Sequence, residues 1–202
     1  MIDYPVAEYK ALIRSRLSEY RYRHSMCVAA AAVSLAEKYG GDVQKAYVAG
    51  ILHDVMKEET PEVQLQYIDK VGIMLTPLQL ENQKLYHAMS GYAYCKDELG
   101  IDDQEILTSI LYHTTSRPHA SLMEKIIYIA DFISDDRTYP DVNTMREKAE
   151  TSLDGAMLYA MQYTIIEAVK KGKTIHTDTV DAYNEIVMAA KIQSKEIIHE
   201  SE

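Results

Sequence analysis

The sequence predicts an all-α protein that folds as a single helical bundle. Of its 202 residues, 47% are hydrophobic, which is enough to bury a full core within one domain. Only 8 residues are glycine and 5 are proline, and alanine, leucine, isoleucine and methionine are abundant. Apolar residues do not alternate with polar ones at the period of two that is typical of strands. Helices are therefore expected along the whole chain.

In the first half of the chain, apolar spacing and capping residues mark the helices. Gly40-Gly41 should end one helix in the usual C-terminal manner, and Asp42 should cap the next. Thr60-Pro61 and Thr76-Pro77 each place proline at a first helical position, which predicts two short helices separated at Gly72. The longer helices predicted here span residues 6–20, 21–39, 42–57 and 84–99.

The second half of the chain follows the same rules. Residues 102–105 should cap a helix that carries Ile106, Ile110 and His113 on one face. Residues 114–118 should form a turn, because Pro118 disfavours helix at the residue before it. Ser121 should cap the following helix, which carries Asp131. The remaining predicted helices span residues 142–150, 152–171 and 178–198.

Six ionisable residues interrupt the apolar faces of five predicted helices. Burying such groups costs several kcal/mol unless a partner compensates them. A lone buried histidine is usually a satisfied core residue, and a lone aspartate is usually a cap or an ion-pair partner. When each of five helices carries an ionisable residue on its apolar face, the pattern instead indicates a shared partner, and a metal ion would be such a partner. The six residues are His24, His53, Asp54, His87, His113 and Asp131.

This donor set indicates a catalytic rather than a structural metal site. Imidazole and carboxylate ligands without thiolates suit iron, manganese, nickel, cobalt or zinc in a site with open positions. Cys27 and Cys95 are isolated in apolar stretches and are expected to be buried free thiols. Because a bound metal lowers the pKa of water and supplies hydroxide near neutral pH, hydrolysis is the natural reaction class.

The residues also carry a family resemblance. His24, the adjacent His53-Asp54 and the distant Asp131 resemble the signature of the HD-domain phosphohydrolases, and His87 with His113 resembles the six-ligand variant that holds two metals. The chain is similar over nearly its whole length to the YqeK branch, the symmetrical bis(5′-nucleosyl)-tetraphosphatases. The matching motifs are Arg21-Tyr22-Arg23-His24, His53-Asp54-x-x-Lys57, Leu85-Tyr86-His87-Ala88, Tyr112-His113-Thr114 and Glu124-Lys125-Ile126-Ile127-Tyr128-Ile129-Ala130-Asp131.

This resemblance implies an enzyme that cleaves diadenosine tetraphosphate at its middle phosphoanhydride and yields two ADP. It implies a first metal held by His24, His53, Asp54 and Asp131, while His87 and His113 hold a second metal or contact phosphate. Iron is the first choice, as one or two ions, with manganese, cobalt, nickel or zinc as alternatives. The expected domain is a single HD domain over residues 1–202, with a metal-site core over roughly 18–137 and C-terminal helices over 141–199 that complete the pocket.

Further residues are expected to bind substrate. Asp54 and Lys57 are the candidate catalytic residues, because an ammonium one turn after His53 could neutralise phosphate or protonate the leaving group. Arg137 suits a phosphate clamp, and His24, His87, His113 and Thr114 are the other candidate substrate contacts. Lys57 could instead pair with Glu58 or Glu62, and Arg137 could be a surface charge. Residues 173–178 correspond to a nucleotide-contacting segment of the family, but they lack its usual proline and carry His176.

Charge and targeting signals limit the partners. A net charge of −10 argues against a nucleic-acid polymer or a membrane, but a single nucleotide needs only a local cluster of cations. No signal peptide or membrane span is recognisable, so a cytoplasmic protein is expected. The 16 tyrosines are compatible with a homodimer. Two alternatives remain: hydrolysis of another small nucleotide, such as a deoxynucleotide or a guanosine alarmone, and a nucleotide-binding protein without turnover.

Overall fold

A computed structural model describes residues 4–199, with side chains described through residue 191, and all regular structure in that range is helical. The all-α prediction is confirmed. One 3-10 turn, Gln83–Leu85, precedes α6. The eleven helices are α1 Val6–Arg16, α2 Glu19–Tyr39, α3 Val43–Leu52, α4 Pro61–Lys70, α5 Pro77–Leu80, α6 Tyr86–Asp97, α7 Gln104–Tyr112, α8 Leu122–Ile133, α9 Val142–Thr151, α10 Leu153–Lys170 and α11 Thr177–His199.

The first predicted helix is too long, because the helix is interrupted at Ser18. The Ser18 hydroxyl caps α2 by accepting a hydrogen bond from the backbone N–H of Arg21 at 3.4 Å. The backbone N–H and the hydroxyl of Ser18 also donate to the Glu58 carboxylate, at 2.5 and 2.7 Å. These hydrogen bonds satisfy polar groups at the start of α2, which lies inside the predicted helix 6–20. Residues 6–20 are therefore divided between α1 and α2.

Several predicted caps are confirmed. Gly40 ends α2 with a positive φ of 76°, and Asp42 accepts hydrogen bonds from the first backbone N–H groups of α3. Thr76 forms a reciprocal capping box with Gln79. The cap predicted within residues 102–105 is Asp103, which accepts from two backbone N–H groups of α7.

Helix α2 packs against both α3 and α8, and the three meet in the main core. At the crossing of α2 and α3, Gly50 faces Ala29 so closely that a Cβ on Gly50 would lie 2.6 Å from the Ala29 Cα. The absence of a side chain at position 50 therefore sets the distance between these helices.

The main core extends along the chain from Tyr9 to Ala182, and a smaller apolar cluster of Ile68, Tyr86 and Met89 lies between α4 and α6. The single-domain organisation over residues 1–202 stays a prediction. Within the described residues, no helix combines the length and the apolar character that a membrane crossing requires.

Candidate metal centre

All six predicted ligand residues converge on one site. His24, His87 and Asp131 lie within α2, α6 and α8, whereas His53 and His113 are the residues directly after α3 and α7. Asp54 follows His53 in a buried turn. The four histidines and Asp54 are at most 2% exposed, while the Asp131 side chain is 22% exposed. Five helices thus deliver the cluster, two of them from their C-terminal ends.

Ligand atoms of His24, His53 and Asp131 form one group in which all three lie within 4.8 Å of one another. His24 Nε2 lies 2.9 Å from Asp131 Oδ1, and the His24 and His53 rings are 5.4 Å apart between centroids. Two imidazoles and one carboxylate at this spacing can ligate a single divalent ion.

A second group shares His53 with the first. Ligand atoms of His53, Asp54 and His113 also lie within 4.8 Å of one another. His87 joins this group, because its Nε2 is 3.2 Å from Asp54 Oδ1 and 3.0 Å from His113 Nε2. The donors therefore form a row with His24 and Asp131 at one end and His87 and His113 at the other.

Backbone carbonyls fix the tautomers of two of these histidines. His53 Nδ1 donates to the Gly50 carbonyl at 2.8 Å, and His113 Nδ1 donates to the Ile110 carbonyl at 2.7 Å. In a neutral imidazole this leaves Nε2 as a lone-pair donor that faces the cluster. His53 Nε2 is fully buried without a hydrogen-bond partner among residues 4–199. A metal ion would satisfy that nitrogen, so the residues present fit such an ion.

Burial lowers the pKa of His53 to about 4 and the pKa of His87 to about 4, so both rings are neutral at pH 7. Burial would raise the pKa of Asp54, but the charges and hydrogen bonds of His53, His113, His87 and Lys57 hold it well below its usual value. Neutral imidazoles beside an ionised carboxylate are the protonation states that metal ligation requires.

The hydrogen bond from the His53 ring to the Gly50 carbonyl also explains where α3 ends. The sequence predicted an end near Lys57, but the helix ends at Leu52. A continuing helix would bond the Gly50 carbonyl to the Asp54 N–H, but that carbonyl accepts from the His53 ring instead. The chain then turns through bonds from Val55 N–H to Leu52 and from Lys57 N–H to Asp54. This turn places the side chains of His53, Asp54 and Lys57 at the same site.

Three cations line the exposed side of the row. Lys57 Nζ lies 2.9 Å from His87 Nε2 and 3.5 Å from Asp54 Oδ1, so the alternative pairing of Lys57 with Glu58 or Glu62 is not observed. Arg21 Nη1 lies 3.3 Å from Asp54 Oδ2. Arg137 donates from Nε to the Asp131 carbonyl at 2.7 Å and from Nη2 to the Asp131 carboxylate. Each of these side chains is between 26% and 29% exposed, as a group that meets an anionic ligand must be.

A cavity of about 210 Å³, here called the Thr114 cavity, is lined by Tyr112 and Thr114, the residues on either side of His113 in the sequence. Its wall is largely apolar and includes Leu85, Met89 and Leu111, while Thr114 and His176 contribute polar atoms. Gln79 Nε2 lies 3.2 Å from His176 Nε2, which links α5 to the segment before α11. The predicted substrate residue Thr114 and the tail segment 173–178 thus border the same cavity.

Comparison with known proteins identifies the family. A model described as the HD domain matches residues 21–136, a range that contains all six candidate ligands. The chain belongs to the HD-domain family. A crystal structure described as a predicted HD superfamily hydrolase involved in NAD metabolism, from Clostridium acetobutylicum, superposes on this HD domain with a TM-score of 0.89. The two share 35% identity over 92% of this chain and 98% of that one.

Two relatives of this HD domain carry the same name, bis(5′-nucleosyl)-tetraphosphatase, symmetrical. The protein of Halalkalibacterium halodurans is 36% identical over 180 residues, which covers 89% of this chain and 96% of that protein. The protein of Bacillus subtilis is 37% identical over 177 residues, which covers 88% and 95% respectively. Together with the histidine and aspartate cluster, family membership identifies the site as one for a divalent metal.

Sequence reasoning missed two residues of the HD site. Asp136 accepts a hydrogen bond from His24 Nδ1 at 2.8 Å, although 112 positions separate the two residues. Arg21 was recognised only as part of a motif, yet it contacts Asp54. The acidic pair Asp135-Asp136 before Arg137 was the available signal for the first, but it cannot specify which carboxylate points inward.

Replacing Asp136 with asparagine should weaken metal binding. The Asp136 carboxylate fixes the His24 ring with Nε2 towards Asp131 and raises its basicity, and loss of such a partner typically costs about 10- to 100-fold in metal affinity. Metal titration of the apo-protein measures the effect. Asp135→Asn is the matched control, because Asp135 is exposed, and an equal loss in both variants would contradict this role.

Proposed function

We propose that this HD-domain protein is a metal-dependent hydrolase that cleaves diadenosine tetraphosphate at its centre and releases two ADP. One observation carries the proposal: two overlapping donor groups share His53, and Arg21, Lys57 and Arg137 border them on the exposed side. A row of this kind suits a substrate with several consecutive phosphates, since each cation can meet a different phosphoryl group. The names of the relatives support the choice of substrate.

His24, His53, Asp54 and Asp131 would hold the first ion, and His87 and His113 would hold a second ion or contact phosphate directly. The Nε2 atoms of His53 and His113, whose rings are oriented by hydrogen bonds from Nδ1 to backbone carbonyls, support this assignment. We propose iron as the native metal, because nitrogen and oxygen donors without thiolate suit it and because the six-residue pattern resembles two-iron members of the family. Manganese, cobalt, nickel and zinc are the alternatives.

When bound, the metal supplies positive charge to the phosphoryl oxygens and acidifies the attacking water. The protein's own cations complete the chemistry. Lys57 Nζ lies between His87 and Asp54, where it can neutralise or protonate the departing ADP oxygen. Arg137 is held by two bonds to Asp131, so its guanidinium is preorganised to clamp a phosphate beside the first ion. The buried rings of His87 and His113 limit access of bulk water at the other end of the row.

The Thr114 cavity is proposed to take one nucleoside. Its apolar wall suits a base and a ribose, and two of its lining residues, Tyr112 and Thr114, flank the candidate ligand His113 in the sequence. Thr114 would hydrogen-bond the ribose or the adjacent phosphate. His176 and Gln79 provide polar atoms at the far side of the cavity, where they can contact the base edge.

Chromatography of the products of diadenosine tetraphosphate tests the proposed reaction. ADP alone is expected, and AMP with ATP would exclude central cleavage. A side-by-side panel with deoxynucleotides and a guanosine alarmone tests the choice of substrate. Binding of the dinucleotide without turnover under iron, manganese and cobalt would instead favour a non-catalytic nucleotide-binding protein.

Anaerobic purification with elemental analysis tests the metal, and we expect iron at one or two ions per chain. Activity should be lost with a chelator and restored by the metal that was removed. A cytoplasmic location and a homodimer stay predictions, which fractionation and sedimentation measure directly.

Lys57→Ala should lower kcat by about 10²- to 10⁴-fold while the fold and the metal content are retained, because a positioned acid or cation acts mainly in the transition state. Steady-state kinetics with metal analysis of the same sample check this expectation. Lys70→Ala is the matched control, since Lys70 pairs with Asp97 and Glu98 on the surface of α4. Wild-type kcat in Lys57→Ala would remove Lys57 from the mechanism.

A further inference from the structure

A dinucleoside tetraphosphate that is cut at its centre needs two nucleoside subsites, one on each side of the metal row. The Thr114 cavity accounts for only one of them. We propose that a second cavity, beside the paired rings of Tyr139 and Tyr163, binds the base of the other nucleoside, an inference that rests on the proposed function. This cavity, here called the Tyr163 cavity, is lined by Asp131, Phe132, Arg137, Tyr139 and Tyr163 and has a volume of about 240 Å³.

The order of the donors places the two cavities at opposite ends of the row. Ring centroids are 5.4 Å apart between His24 and His53, 5.1 Å apart between His53 and His113, and 4.9 Å apart between His113 and His87. Asp131 contacts His24 and therefore belongs to the first end, and it also lines the Tyr163 cavity. Thr114 follows His113 directly and lines the other cavity. A phosphate chain centred on the row thus has a cavity at each end.

The Tyr163 cavity has the lining that a base requires. The Tyr139 and Tyr163 rings are 5.3 Å apart between centroids and are inclined at 39°, so they pack against each other as a tilted pair and a base would bind on their outer faces. Both side chains are half-buried, which leaves aromatic surface open to a ligand. Tyr139 is fixed by a 3.0 Å hydrogen bond from its hydroxyl to the Phe132 carbonyl. Rigid aromatic faces of this kind can stack on a base of any type, because every base has a π-face.

Arg137 connects this cavity to the phosphate site. Its guanidinium donates hydrogen bonds to Asp131 on the side that faces the metal site, and Arg137 lines the Tyr163 cavity on its other side. A phosphate held by Arg137 would therefore be followed by a ribose and a base at the tyrosines. In addition, Asp131 is the most exposed of the six candidate ligands, which places an entrance for the substrate at this end.

Tyr163 variants test the subsite. Loss of base stacking on an aromatic side chain typically lowers affinity by roughly 5- to 150-fold. Tyr163→Ala should raise KM for diadenosine tetraphosphate within that range and leave kcat within about threefold of wild type. In equilibrium dialysis of the metal-loaded protein, wild type should bind two ADP per chain and Tyr163→Ala only one at the same concentration. Tyr163→Leu retains apolar bulk and serves if the alanine variant unfolds.

Two further variants separate stacking from general damage. Tyr163→Phe retains the ring and should behave as wild type, and so should Ile166→Ala, at an exposed position on α10 outside the cavity lining. Wild-type KM and two ADP sites in Tyr163→Leu, or a defect in Tyr163→Phe as large as that in Tyr163→Leu, would overturn the subsite alone. If the wild-type protein releases no ADP from the dinucleotide, the proposed function fails as well.

Discussion

Asp54→Ala is expected to lose both metal and hydrolysis while the helical fold is retained. Asp54 lies between the two donor groups, with Oδ1 3.2 Å from His87 Nε2 and Oδ2 3.6 Å from His53 Nε2. Its carboxylate is the only acidic donor in the group that it forms with His53 and His113, so its removal leaves that group with imidazoles alone and a much weaker hold on a cation.

The expected loss exceeds the 10- to 100-fold that removal of an outer-shell partner costs, because Asp54 is a proposed ligand itself. Elemental analysis, kcat/KM and far-ultraviolet circular dichroism on one preparation separate loss of metal from loss of fold. Asp69→Ala, at an exposed position on α4, is the control and should match wild type. An Asp54→Ala protein that is as active as wild type would exclude the proposed metal mechanism.

Gly50→Ala should destabilise the protein strongly. The added Cβ would meet the Cα and N atoms of Ala29 at 2.6 and 2.9 Å, and backbone atoms cannot rotate away as the end of a side chain can. Overpacking costs about 1–3 kcal/mol or more, whereas the gain in helix propensity is only about 1 kcal/mol. A net loss of about 2 kcal/mol corresponds to a fall in Tm of roughly 4–8 °C for a chain of this length.

Gly91→Ala is the matched control for this prediction. Gly91 is also helical and buried, but its added Cβ would come no closer than 3.3 Å to the Cγ2 of Ile110, with the His53 carbonyl oxygen and Val55 Cγ1 at ordinary contact distances of 3.7 and 3.9 Å. The gain in helix propensity should offset that contact, so Tm should change by less than about 2 °C. Thermal denaturation of Gly50→Ala and Gly91→Ala measures the two changes in Tm. Equal Tm values would show that the crossing of α2 and α3 tolerates a methyl group.

The helices, and the convergence of the six candidate ligands on one site, could be predicted from the sequence because both depend on local spacing. Caps such as Asp42 and Thr76 act within three residues, and an ionisable residue on an apolar face is visible in the pattern itself. Whether these six residues bind metal stays a prediction, since only their convergence is observed. Lys57 could be singled out because it lies one turn from His53.

What could not be predicted depends on contacts between distant residues. The end of α1 is set by the bonds between Ser18 and Glu58, 40 positions apart, and the partner of His24 is Asp136. The two cavities also depend on tertiary packing. Tyr139 and Tyr163 lie 24 positions apart on either side of α9, and nothing in their local pattern indicates that their rings meet.

The bonds of His53 and His113 to their own helices have a consequence for the order of folding. Each bond spans three residues, from Nδ1 to the carbonyls of Gly50 and Ile110 respectively. Helices form within about a microsecond, much faster than whole domains. The orientation of each ring thus depends only on the end of its own helix, and it needs no contact with a residue far away in the sequence. The centre would then be assembled from prealigned parts, and little reorganisation would remain when the ion arrives.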